Sequence, residues 1–182
     1  QPEQRPSLKM TKLGYLRNTN QIELIAGRGT GRAKKDDQAV DDLPQMITAA
    51  WVRDASAGNK LSITALVTKS TQIDQKALLQ VDDVIFDISD KTSVWTVTKK
   101  EAGSVLGVGL YAIRLNGQSP DPVGLTPAFV AVWARTSHLS DQIKKFSIGE
   151  VVSIIRMQDL QRIAMPVPAD KASSDCFTRQ MD

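Results

Sequence analysis

Alternation of apolar and polar residues along the middle of the chain limits the folds that it can adopt. The pattern runs through residues 61–67, 84–88, 92–98 and 105–115, with turn residues between these segments. Such alternation is typical of antiparallel strands that bury one face and expose the other. Two glycines inside the last segment predict a bulge or a close approach of backbones. Residues 128–135 are apolar and aromatic enough for a fifth strand, with a helix as the alternative.

Two helices are predicted beside this sheet. The first covers residues 43–55, because Asp42 fits its N-cap and Gly58 lies just beyond its end. Its apolar face carries residues at helical spacing, namely Leu43, Met46, Ile47, Ala50 and Trp51. The second helix covers residues 148–163, where the spacing of a capping box precedes apolar residues. A final strand over residues 146–156 is the alternative to this second helix.

Length and composition indicate one folded domain. A chain of 182 residues with 41% hydrophobic residues is long and apolar enough to bury a single core. We predict a flexible N-terminal arm at residues 1–12, a domain at residues 13–165 and a C-terminal tail at residues 166–182. The predicted fold is therefore α+β, an antiparallel sheet of about five strands with two flanking helices.

A basic, glycine-rich segment follows a predicted strand over residues 21–26. It runs from Gly27 to Lys35 and has almost no apolar surface to bury, so we predict a mobile loop outside the core. Four of its side chains are cationic, and further cations lie upstream in the chain. We predict that seven of these residues bind a polyanion, namely Arg28, Arg32, Lys34, Lys35, Lys9, Lys12 and Arg17.

The charge of the chain is unevenly distributed. Residues 1–35 carry eight Lys/Arg and two acids, residues 36–90 carry four and ten, and residues 91–182 carry eleven and eight. This asymmetry favours attraction of an anionic partner to the basic end, or contact between the basic end of one copy and the acidic segment of another. Compensation of the charges within one folded monomer is the alternative.

Nucleotide binding by the glycine-rich segment is not supported. In the dinucleotide fingerprint the third glycine would stand where Arg32 stands, one place after Gly31. The predicted helix begins about ten residues later, behind four aspartates that would repel a phosphate. The P-loop pattern also fails, because no Gly-Lys-Ser/Thr follows at its offset. We therefore predict no nucleotide cofactor.

The candidate catalytic residues do not form a recognisable site. His138 is the only histidine and Cys176 the only cysteine, so no zinc site with nitrogen and sulfur ligands is expected. Asp82, Asp83 and Asp87 could gather around a cation, but Asp83 and Asp87 alternate with apolar residues, which is typical of a solvated strand face. We expect His138 at the surface. No metal, cofactor or catalytic residue is predicted.

The functional hypothesis is a non-enzymatic structural or assembly protein. It would associate with itself and bind nucleic acid or an anionic membrane surface through the basic arm and loop, as viral matrix, capsid or nucleic-acid coat proteins do. Tyr15 lies beside the basic residues, but no motif for base-specific contacts is recognisable.

Two alternatives to this hypothesis stay open. One is an exported or envelope-associated protein-interaction module, and the other is a small hydrolase that uses carboxylates of the Asp82–Asp87 region. A cytoplasmic or virion setting is favoured, since the chain has a single cysteine, with export as the alternative.

Overall fold

The computed structural model of the chain describes residues 7–27, 44–59, 65–66, 74–89, 93–117, 124–146 and 155–181. The strands are β1 (Leu8–Lys12), β2 (Ile22–Ala26), β3 (Gln45–Ile47), β4 (Ala65–Leu66), β5 (Val84–Asp87), β6 (Val94–Thr96), β7 (Val105–Leu106), β8 (Leu110–Leu115) and β9 (Ala164–Pro168). The helices are α1 (Leu13–Asn18), α2 (Ala49–Ser56), α3 (Pro127–Ala134), α4 (Ser137–Phe146), α5 (Met157–Leu160) and α6 (Lys171–Met181), with a 3₁₀ turn at Gln75–Ala77. The α+β class with mostly antiparallel sheets is confirmed.

The largest sheet in the described part of the chain has four antiparallel strands in the order β2-β8-β5-β6. Both of its faces are buried. On one face, Phe86 and Tyr111 stack with ring centroids 6.1 Å apart and belong to the larger hydrophobic core, which α1, α3, α4 and β9 complete. On the other face, Ile85 and Ala112 belong to a smaller core with α2, β3 and β7. The prediction that residues 84–88 expose one face to water was therefore wrong.

Two further sheets flank this one. Strand β3 lies between β4, with which it pairs antiparallel, and β7, with which it pairs in parallel. Strands β1 and β9 form an antiparallel ribbon in a register that pairs Leu8 with Pro168 and Lys12 with Ala164. No helix within the described ranges is long and apolar enough to cross a bilayer.

The secondary structure of the two chain ends differs from the prediction. The segment predicted as a loose arm holds β1, and the segment predicted as a tail holds most of β9 and the eleven-residue helix α6. The two segments order each other by pairing across more than 150 positions, which a local sequence pattern does not reveal. The domain boundaries themselves stay a prediction.

The predicted helices were only partly correct. Helix α2 begins at Ala49, where Thr48 Oγ1 accepts a hydrogen bond of 3.2 Å from the Trp51 amide. The preceding residues 45–47 form β3 because they pair with strands on both sides, and Asp42 lies outside the described residues. Of the predicted helix at 148–163, the structure shows α5 alone, and residues 147–154 lie outside the described ranges.

The predicted fifth strand at residues 128–135 is wrong, because this segment is the helix α3. Thr126 caps it by accepting a 3.1 Å hydrogen bond from the Phe129 amide, and Pro127 occupies its first turn. The helix carries apolar residues on all sides. Strands β5 and β6 cover one side, and α4 and α6 cover others, so each apolar side is buried. A helix buried all round has no polar face, so periodicity does not distinguish it from a buried strand.

One tyrosine ties the sheet to the segment that precedes α5. The Tyr111 hydroxyl donates a 2.6 Å hydrogen bond to the Ile155 carbonyl and accepts one of 3.2 Å from the Ile155 amide. Burial raises the pKa of this hydroxyl, although the bond with the Ile155 backbone lowers it, so the group stays neutral and able to donate. A single side chain therefore satisfies both polar groups of a buried residue.

Tyr111→Phe should lower the free energy of unfolding by about 1–3 kcal/mol, because it leaves a buried amide and a buried carbonyl unpaired. Urea denaturation followed by circular dichroism measures this loss. Tyr15→Phe is the matched control, since it removes the same hydroxyl from a side chain that is 61% exposed, and it should change stability by less than about 0.5 kcal/mol. Equal losses in the two variants would contradict this role of Tyr111.

Candidate nucleic-acid interface

The structure places three of the seven predicted polyanion-binding residues. Lys9 and Lys12 are exposed on β1, and Arg17 is exposed on α1. Lys9 and Lys12 stand an odd number of positions apart on one strand, so they point to opposite faces of the β1–β9 ribbon. Lys12 continues directly into α1. The other four predicted residues (Arg28, Arg32, Lys34 and Lys35) lie outside the described residues.

Backbone hydrogen bonds bring α1 and the turn before β9 together. The Leu13 amide donates to the Ile163 carbonyl and the Gly14 amide donates to the Gln161 carbonyl, each over 2.8 Å. These two bonds bracket Arg162, so this arginine lies beside the start of α1. A Cβ atom on Gly14 would lie only 3.0 Å from the Gln161 carbonyl oxygen, which shows how closely the two segments pack.

Helix α4 contacts the start of β9 and the turn before it through its side chains. The Gln142 amide group donates to the Ala164 carbonyl over 2.9 Å and accepts from the Ala164 amide over 2.8 Å. At the end of α4, the Phe146 ring lies under the Arg162 guanidinium, 5.0 Å from its centroid. The end of α4, which carries Lys145, therefore packs beside Arg162.

We define the basic surface as Lys12, Lys145, Arg156 and Arg162, all of which are exposed. Lys145 is in the last turn of α4, and Arg156 and Arg162 flank α5. Arg162 is 65% exposed and contacts Asp159 at 3.5 Å, which is a weak surface pair. Sequence reasoning found Lys12 but missed the other three, because they are scattered through the chain and only the docking of α4 and α5 gathers them.

The aromatic residues are placed largely as predicted. Tyr15 is exposed on α1, next to the basic surface, whereas Trp51 and Trp133 are buried in the two cores. Trp95 is partly buried and packs edge-on against Trp51, with ring centroids 5.5 Å apart. Among the tryptophans, none is an exposed platform for stacking a base.

The prediction that Asp83 and Asp87 lie on a solvated strand face was wrong. Asp83 and Asp87 are buried at the two ends of β5, whereas Asp82 is exposed. Each buried carboxylate has an arginine partner, Arg114 for Asp83 and Arg53 for Asp87. Burying a charge is costly unless it is paired, which explains why both arginines are present.

Arg114 uses its full donor capacity within the protein. Its Nε and one terminal nitrogen contact the two Asp83 oxygens at 2.9 and 2.8 Å, and other donors reach the Leu78 and Lys76 carbonyls and Glu23. Burial by itself lowers the pKa of Arg114, but the hydrogen bonds and attraction from Asp83 and Glu23 outweigh it and raise the pKa. Arg114 also lines a polar cavity of about 460 Å³ with Lys76 and Gln80, and it has no donor left for a ligand there.

No side-chain cluster typical of a metal centre occurs among the described residues. They contain no cluster of three His, Cys, Asp or Glu side chains that could hold a metal ion. His138 is exposed in the first turn of α4, as predicted, and Cys176 is partly buried in α6.

Two glycines fix the place where the predicted basic loop begins. A Cβ atom on Gly27 would lie 1.7 Å from the Gly107 carbonyl oxygen, so only glycine fits there. The Gly107 amide donates a 2.8 Å hydrogen bond to the Ile47 carbonyl at the end of β3. The close backbone approach predicted from the glycines of this region is confirmed. Gly107 therefore contacts both Gly27, which follows β2, and Ile47, the last residue of β3.

The fold is similar to that of solved chains from type I restriction-modification systems. The S subunit from M. genitalium matches with a TM-score of 0.56 at 10% sequence identity, over 99% of this chain and 39% of that chain. The HsdS subunit from Thermoanaerobacter tengcongensis matches with a TM-score of 0.58 at 15% identity, over 98% of this chain and 42% of that chain. A third chain, from a study of complex assembly and conformational transition of the type I system, matches with a TM-score of 0.59 at 15% identity, over 98% of this chain and 38% of that chain.

These likenesses concern the fold, and the chain spans about two fifths of the length of the solved chains that it matches. No family model matches the sequence. No curated protein matches it either. The hypothesis of a viral matrix, capsid or coat protein is nevertheless contradicted, because the similar structures are S subunits. The two alternatives, an exported interaction module and a carboxylate hydrolase, do not match these neighbours either.

Gly27→Ala should destabilise the fold by about 1–3 kcal/mol or more, because the new methyl group would collide with the Gly107 backbone. Thermal unfolding followed by circular dichroism measures the effect. Gly117→Ala is the matched control, since a Cβ atom at Gly117 meets nothing within 4 Å, and it should leave stability unchanged or slightly raised. A Gly27→Ala variant as stable as the control would show that β2 and the β7–β8 turn do not cross as described.

Proposed function

We propose that this chain is a DNA-recognition module of the kind that S subunits of type I restriction-modification systems contain, without a catalytic centre of its own. The observation that carries the proposal is the match of nearly the whole chain to S-subunit structures at TM-scores of 0.56–0.59. Restriction and modification are reactions of DNA, so a non-catalytic subunit of such a system contributes by binding its target.

The basic surface supports binding to a polyanion independently of the fold. Its four cations are exposed on segments that pack together, namely the start of α1, the end of α4 and the two ends of α5, and Asp159 is a weakly paired acid beside Arg162. Cations placed in this way displace the counterions of a DNA backbone, which gives affinity that falls steeply with salt. The seven residues predicted from sequence remain proposed phosphate contacts, and Lys12 among them is also part of the basic surface; the seven are Lys9, Lys12, Arg17, Arg28, Arg32, Lys34 and Lys35.

The proposed partners are duplex DNA and other subunits of the same system. One of the similar structures was described for complex assembly of a type I system, and this chain spans about two fifths of each matched chain. We infer that the module works as part of a larger assembly and not as a coat that polymerises on its own.

Fluorescence anisotropy with a labelled mixed-sequence duplex, measured from 50 to 200 mM salt, tests the proposal. The double variant Lys145→Glu/Arg162→Glu should bind at least about tenfold more weakly than the unmodified chain at 100 mM salt, with a shallower dependence of log K on log salt. The loss follows because two phosphate contacts become repulsive.

The matched control is Lys99→Glu/Lys100→Glu, which makes the same charge change at two exposed lysines in the turn after β6. It should bind within about twofold of the unmodified chain, since a net-charge effect alone is small at this salt. Equal weakening of both variants would show that the basic surface is not the contact. Absence of binding by the unmodified chain at 50 mM salt would contradict the proposed function.

A further inference from the structure

Two arginines pair with buried aspartates in this fold, and they differ in how many of their N–H donors are engaged by the described residues. Arg114 is 11% exposed and its donors are all engaged within the protein. Arg53 is 46% exposed, and within the described residues its hydrogen-bond partner is Asp87 alone, through one terminal nitrogen at 3.3 Å. A guanidinium has five N–H donors, so four of those on Arg53 have no hydrogen-bond partner within the described residues.

Asp87 is itself held firmly. Its carboxylate is 1% exposed, and one oxygen accepts hydrogen bonds from the Ser89 amide at 2.9 Å and the Ser89 hydroxyl at 2.6 Å. The other oxygen contacts Arg53. A carboxylate fixed in this way holds one terminal nitrogen of Arg53 beside the end of β5.

Arg53 also lies at the end of the sheet where the predicted basic loop begins. Leu110 of β8 pairs with Asp87 on one side, and its carbonyl accepts a 2.8 Å hydrogen bond from the Gly27 amide on the other. Asp87 and Gly27 are therefore two strand spacings apart, which is roughly 10 Å. The Arg53–Asp87 pair thus lies near Gly27, which the predicted phosphate contacts follow in the sequence.

The chemistry of the pair favours a base edge over a phosphate. Arg53 and Asp87 together carry no net charge, so they add little long-range attraction for phosphates, and the carboxylate repels one at close range. What remains is a set of N–H donors on an exposed guanidinium. Guanine offers two adjacent acceptors, O6 and N7, in the major groove, and their spacing matches the fork of a guanidinium.

We propose that Arg53, oriented by Asp87, binds the O6 and N7 edge of a guanine in the DNA target. This inference rests on the proposed function, and it assigns part of the sequence preference to one residue. Asp87 acts as a positioning residue. The contact differs from those of the basic surface, which bind phosphates whatever the sequence.

Selection from a pool of random 20-base-pair duplexes tests the inference. The unmodified chain should enrich sequences with a guanine at a fixed position, and Arg53→Lys should lower that preference at least about fivefold. Lysine keeps the positive charge beside Asp87 but lacks the planar fork, so affinity for an unselected duplex should stay within about twofold. Arg135→Lys, the same exchange at an exposed arginine after α3, should leave the enriched sequence unchanged.

A second measurement uses the unmodified protein and does not depend on a variant that folds. Replacing each guanine of the enriched sequence in turn by 7-deazaguanine removes the N7 acceptor and should weaken binding at least about fivefold at one position. Arg53→Lys should be insensitive to that replacement.

The outcomes separate this inference from the proposed function. If no position is sensitive to 7-deazaguanine, or if Arg53→Lys retains the full guanine preference, the inference is wrong while DNA binding stands. If the unmodified chain binds duplexes without enriching any sequence, the inference is wrong in the same way. If it binds no duplex at 50 mM salt, the proposed function fails as well.

Discussion

Burial of both faces of one four-stranded antiparallel sheet is the constraint on which the rest of the structure depends. Strand β8 lies inside that sheet, and its residues alternate between the larger core, through Tyr111 and Ile113, and the smaller core, through Leu110 and Ala112. Antiparallel sheets commonly expose one face to water, so this one needs cover on two sides. Helices α1, α3 and α4 together with β9 cover one face, and α2 with the small β3 sheet covers the other.

A strand buried on both faces leaves polar residues only at its ends, and this explains the two buried aspartates. Asp83 and Asp87 bound β5, and each needs a cation because water does not reach it. Both ion pairs join an arginine to an aspartate, but the two arginines differ in solvent exposure. Arg114 belongs to the neighbouring strand, whereas Arg53 belongs to the helix α2. The first pair is structural, whereas the second retains donors at the surface.

Local patterns predicted the parts of the fold that depend on local contacts. The α+β class, the strand at β2 and the close backbone approach at Gly107 were recognisable from sequence, whereas the role of Gly27 in that approach was not. Helix α3 and the β1–β9 ribbon were not, because one is covered on every side and the other pairs segments far apart in the chain. The basic surface was missed for the same reason, since its cations become neighbours only when α1, α4 and α5 dock.

The acidic stretch shows why charge counted along a chain misled the functional hypothesis. Residues 36–90 hold ten acids against four Lys/Arg, which predicted an acidic surface for a second copy. Two of those acids, Asp83 and Asp87, are internal and neutralised by arginine, so they add little to the external field. Conversely, residues 91–182 are only slightly basic in total, yet they supply three of the four cations of the basic surface. Attraction for a polyanion therefore depends on where folding places the charges and not on their count along the chain.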